Sequence, residues 1–164
     1  MNEINVKHKF VEITNRKALR TYLLTLKEET PAKWGKMDAQ DMVEHLGNTL
    51  QMTNGKRIAT LRVSEEEAAA NKERFIYTSV EMPLGIKSSS MGENPDPYKF
   101  SSLHEAIVEL QKQLDDFEFY FANNPEATFI HPRHGALNHS EWIIFHNKHF
   151  THHFKQFGLL HSEM

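Results

Sequence analysis

The chain has 164 residues, 39% apolar and 25% charged, with a net charge of −3 and no cysteine. That length fits one domain spanning residues 1–164, with the composition of an ordered, soluble protein. Without cysteine there are no disulfides, thiolate metal sites or cysteine nucleophile. Lys and Arg are scattered, which argues against nucleic acid as a partner.

No apolar run is long enough to span a bilayer, so no membrane partner is expected. The N-terminal stretch MNEINVKHKF lacks the basic start and apolar core of a secretory signal, and a cytoplasmic location is the expectation.

In chain order, Asn15 to Glu28 places Leu19, Tyr22, Leu23 and Leu26 at helical spacing, with Pro31 just beyond. Asp38 reads as an N-cap with Asp41 three residues on. It opens a helix from Ala39 to Thr53 that carries Met42, Leu46 and Leu50 and stops at Asn54-Gly55. Ser64 with Glu67 is a capping-box pattern for a short helix reaching Tyr77. Ser79 to Ser101 is rich in Pro, Gly, Ser and Asn and reads as a long loop.

Ser102 with Glu105 opens a helix whose Leu103, Ile107, Leu110, Leu114, Phe117 and Phe121 alternate steps of four and three, a pattern that suits bundle packing. Asn123-Asn124-Pro125 ends it. Asn138 with Glu141 caps the last helix, which runs to Gln156 or Phe157 and meets Gly158 as its C′ residue. With no strand pattern, the expected fold is all-α: an antiparallel four-helix bundle with one extra short helix and a long loop.

The chain has eleven histidines, most of them between His131 and His161. On a wheel of the last helix, Trp142, His146, His149, His153, Gln156 and Phe157 fall within about 60° of one direction. Ile144, Lys148, Thr151 and Lys155 gather opposite. His149 and His153 lie one turn apart, about 6 Å along the axis, a spacing by which two imidazoles reach one ion. The glutamate of the HExxH protease signature is missing, because Phe150 follows His149. His152 is at the stripe's edge.

Two readings fit this stripe. The rings are packed core histidines that find carbonyl or water partners, or they share a metal ion, which takes one nitrogen from each where helical backbone offers no partners. A third ligand from another helix is best supplied by His45, on the stripe Met42, His45, Leu46, Thr49. His104 reads as surface or capping, and His8, His139 and His161 as solvent-exposed. Asp41, one turn before His45, either orients that ring or simply starts the helix. His146 is either an outer ligand or proton carrier, or a packed ring.

His149-Phe-Thr-His152-His153-Phe-Lys-Gln156 and the earlier MVEHL at Met42 to Leu46 resemble the HxxxHxxQ end and second-helix histidine of the DinB/YfiT-like superfamily of metal-binding helix bundles. More narrowly, HPxxGxLxxxEWxxFxxxHxxHHxxQFG from His131 to Gly158, with WGKMDAQDMVEHL from Trp34 to Leu46, is similar to a branch of uncharacterised function. The resemblance implies a four-helix bundle, often dimeric, with one divalent ion, zinc or nickel, on His45, His149 and His153. It places Gln156 behind the ligands or in helix packing.

Three neutral ligands leave such an ion with open positions. A water bound there has its pKa lowered toward neutrality, so a hydrolase acting on a small-molecule substrate is the leading expectation. The alternatives are a transferase or isomerase using a small-molecule thiol, as the resemblance implies, and a non-catalytic metal or ligand binder. Substrate access is expected through a cleft near His45 and His146, framed by helix ends and the Ser79–Ser101 loop.

Overall fold

The structure, a computed structural model, describes residues 9–84 and 94–160. His8, His161 and the middle of the Ser79–Ser101 segment lie outside the described residues. The chain is mostly helical, with one small two-stranded sheet. Among the described residues five α-helices are complete: α1 (Arg16–Leu24), α2 (Ala39–Leu50), α3 (Glu65–Ile76), α4 (Leu103–Asn123) and α5 (His139–Gln156). None of them is long and apolar enough to cross a membrane.

Local chemistry sets the helix ends. Asp38 and Asn138 each accept from the backbone N–H three residues on, and Asp41 and Glu141 reach back to the cap residue's own N–H. Both capping boxes are therefore complete. Ser64 and Ser102 cap their helices, but Glu105 turns its carboxylate to Ser101 instead, accepting from that residue's N–H and hydroxyl.

Helix α1 stops at Leu24, four residues short of expectation. The Thr25 hydroxyl donates to the Tyr22 carbonyl, and Lys27 N–H turns to the Thr30 hydroxyl. Helix α2 tightens into a 3₁₀ turn over Gln51–Thr53. At the end of α5, Leu159 N–H reaches the Phe154 carbonyl and Gly158 N–H that of Lys155, with Gly158 at φ +71°. This is a Schellman stop at the expected glycine.

The periodicities do not announce the β-hairpin, in which β1 (Phe129–His131) pairs antiparallel with β2 (Gly135–Leu137), Ile130 opposite Ala136. Three residues per strand are too few for a period of two to stand out. Gly135 ends the connecting loop at φ +75°, a conformation other residues rarely adopt. Asn71 donates to the Arg133 carbonyl and Arg62 N–H to that of Pro132, tying the hairpin to α3 and its leader.

The core gathers residues from all five helices. Helices α2 and α4 form the most extensive helix pairing among the described residues, and Met42, Val43, Leu46 and Leu50 of the first and Leu103, Ala106, Leu110 and Leu114 of the second are all buried in the core. Trp142, Phe150 and Phe154 of α5 are fully buried. Each such side chain contributes about 1.5–3 kcal/mol by leaving water.

Helix α5 is more deeply embedded than one apolar stripe implies. Lys148 and Thr151, expected on its outer side, are each 1% exposed. The N-terminal strand of chain crosses that side: Val11 N–H donates to the Thr151 hydroxyl and Ile13 N–H to Asn147 Oδ1. The Lys148 ammonium donates to the carbonyls of Phe75 and Thr78 and sits over the Phe10 and Phe75 rings. A cation at the carbonyl-rich end of α3 is favourably placed.

Candidate metal centre

His45 comes from the middle of α2, and His149 and His153 from successive turns of α5. Their Nε2 atoms converge: His149 Nε2 lies 3.0 Å from that of His45 and 3.1 Å from that of His153. One nitrogen from each ring falls within 4.8 Å of the others. Two nitrogens held at about 2.0–2.1 Å by one ion, at angles near 90–110°, stand about 2.9–3.4 Å apart. The two short separations fall in that range.

The hydrogen-bond partners assign the protons. Gln156 Nε2 donates to the Trp34 carbonyl at 2.9 Å, which turns its Oε1 toward His153 Nδ1 at 2.7 Å. His153 therefore carries its proton on Nδ1 and offers a bare Nε2. Lys33 N–H also donates to the Gln156 carbonyl, so the segment before α2 is fixed to the end of α5. A Cβ at Gly35 (φ +81°) would stand 3.1 Å from Gln156 Nε2; glycine leaves room for this docking.

In a neutral cluster, a single proton can join His149 Nε2 to only one of its two neighbours, so one of the two short contacts is left without a hydrogen bond. A cation removes that conflict by accepting all three. The donor set, three neutral imidazoles, suits Zn²⁺ or Ni²⁺.

Burial keeps the rings neutral. His45 is pushed down to about 4, foremost by burial, then by His152, while Asp96 acts in the opposite direction. His149 and His153 lie well below 6.5, first through burial and then through the neighbouring imidazoles. All three are deprotonated near neutral pH, the state a metal requires.

A cleft of about 50 Å³ opens on His45, lined also by Met37, Asp41, Glu44, Asn48 and the stretch from Asn94 to Lys99. That volume accommodates a few waters or one end of a small molecule. Glu44 fixes its far wall, because its carboxylate accepts from the N–H groups of Lys99 and Phe100 and from Gln40 Nε2. Neither Glu44 nor Asp96 stood out in the sequence. The available signals were a lone charge inside Met42-Val43-Glu44 and an aspartate between two prolines.

The remaining predicted residues fall in different places. Asp41 serves the capping box, its Oδ2 accepting from Asp38 N–H at 2.9 Å, and lines the cleft beside His45. His146 is fully buried and does not line the cleft. Its Nε2 lies 3.2 Å from the Thr53 hydroxyl, and its ring stacks on Trp142. His152 packs edge-on to Trp34, and His104 is exposed. His139, expected in solvent, is half-buried and stacked on Phe121 at 4.6 Å. No family model, curated protein or solved structure matches the chain.

Proposed function

We propose that His45, His149 and His153 hold one divalent ion, zinc or nickel, and that the protein is a metal-dependent hydrolase of a small-molecule substrate. The observation that carries this reading is the convergence of three imidazole Nε2 atoms, one of them on a residue, His45, that lines a cleft. Bound there, the ion supplies Lewis acidity and lowers the pKa of a coordinated water. The chain's own groups do the rest. Gln156 holds His153 in the metal-binding tautomer, burial keeps the rings neutral, and Glu44 fixes the cleft wall.

The finer architecture we propose is an antiparallel four-helix bundle of α1, α2, α4 and α5, with α3 and the hairpin as additions. Membership of the DinB/YfiT-like superfamily, and with it a homodimer, is supported by the motif from His131 to Gly158 and by Met42–Leu46. Elemental analysis of untagged protein tests the centre. One ion per chain is expected, lost in His149→Ala and His153→Ala; metal content unchanged in both variants overturns the reading.

A further inference from the structure

Two buried ring nitrogens on α5 have no hydrogen-bond partner: His146 Nδ1 and His149 Nδ1. They are three residues apart, hence neighbours on one helix face. Both rings pack against Phe145, at centroid distances of 5.7 and 5.5 Å.

Their proton states are complementary. The Thr53 hydroxyl donates to the Leu50 carbonyl at 2.7 Å, so toward His146 Nε2 its oxygen can only accept. His146 therefore carries its proton on Nε2, and its Nδ1 is a bare acceptor inside the protein. His149 has two options. In one, the proton is on Nε2 and donates to a neighbouring imidazole, and Nδ1 is bare, facing no donor. With Nε2 given to an ion, the proton sits on Nδ1 and becomes a buried donor beside a buried acceptor.

We propose that His146 is the positioning residue of the metal centre, accepting from His149 Nδ1–H through one bridging water. The inference rests on the three-histidine reading above. Metal binding then selects the His149 tautomer that carries its proton on Nδ1. It completes a chain from the ion through His149, His146 and Thr53 to the Leu50 carbonyl. Ligating histidines generally have such a partner on the second nitrogen, which orients the ring and raises its basicity. Gln156 fills that role for His153; His146 fills it for His149.

The test is zinc titration of the untagged protein together with nitrogen-15 NMR of its histidine rings. With zinc bound, the His149 proton is expected on Nδ1, where it exchanges slowly with solvent. His146→Phe keeps the ring packing and is expected to weaken zinc binding by about 10–100-fold. If that variant fails to fold, Thr53→Val, which frees the His146 tautomer, is expected to weaken binding in the same direction by a smaller factor. Wild-type zinc affinity in a folded variant, or a His149 bound to zinc through Nδ1, overturns the assignment of His146. No zinc uptake by the wild-type chain overturns the centre itself and this inference with it.

Discussion

Gln156 Oε1 lies 2.7 Å from His153 Nδ1, one turn back along the same helix, and that contact fixes which nitrogen His153 presents to the centre. The glutamine is itself oriented by the Trp34 carbonyl, so the His153 ring on α5 is set by a segment that precedes α2. Gln156→Leu would leave both the Trp34 carbonyl and His153 Nδ1 without partners. The expected cost is about 1–3 kcal/mol of stability and about 10–100-fold in metal affinity. Thermal unfolding of the metal-free protein measures the first, and competition with a chelator the second. Metal affinity unchanged in a destabilised variant would reduce Gln156 to a packing residue.

The helices were legible in the sequence because caps and period-3.6 patterns are local. Asp38–Asp41 and Asn138–Glu141 announce α2 and α5, and Gly158 announces the stop. The three imidazoles were legible because they interrupt stripes that otherwise read as core. What was not legible depends on distant chain. Lys148 sits opposite the histidine stripe, and it is buried by the crossing of residues 10–13 together with the end of α3 at Phe75 and, just beyond it, Thr78; a wheel assumes one covered face, whereas a central helix has several. The capping role of Asp41 was foreseeable, but the clamp from Glu44 to Lys99 and Phe100 was not, since it spans 55 residues of sequence.

Acid should destabilise the protein, and the sign follows from burial. His146 titrates at about 3, and His45 and His134 at about 4, in each case chiefly because burial penalises the charged ring. The unfolded chain takes up the same protons near pH 6.5. Between about 6.5 and 4 the unfolded state binds more protons than the native one, so stability falls as pH falls. The stabilising increment from metal falls in the same direction, because protons compete for Nε2. Melting of metal-free and zinc-loaded protein across this range checks both effects. A metal-free midpoint that does not change between about pH 7 and about pH 4.5 would contradict buried neutral rings.

The Glu44 clamp should govern the cleft wall. Glu44→Ala removes the acceptor of Lys99 and Phe100 N–H, for an expected loss of about 1–3 kcal/mol. Hydrogen exchange at those two amides should accelerate while the amides in the middle of α5 keep their protection relative to global stability. Glu44→Gln retains one acceptor oxygen and should give an intermediate effect. Equal exchange in all three proteins would mean that the wall is held by other contacts.

Enzyme and binder are separated by the state of the open coordination positions. Three imidazoles do not fill the shell of zinc or nickel, and the cleft reaches the cluster at His45, the least buried of the three. A small molecule entering there meets the polar groups of Asp41, Asn48, Asp96 and Lys99 beside His45. Lys99 is held by Asn48 Oδ1 at 2.9 Å, with no carboxylate paired to its ammonium among the described residues. Metal-loaded protein should therefore carry a solvent-exchangeable ligand, detectable by water relaxation on a paramagnetic divalent substitute, and should hydrolyse some member of a panel of activated esters and amides. Turnover is expected to vanish in His149→Ala and to rise through neutral pH as the attacking water loses its proton. Turnover that requires an added small thiol would assign the centre to group transfer instead. A shell closed to exchange, with no turnover on either panel, would make the ion structural, and zinc removal would then lower the melting midpoint without any catalytic loss.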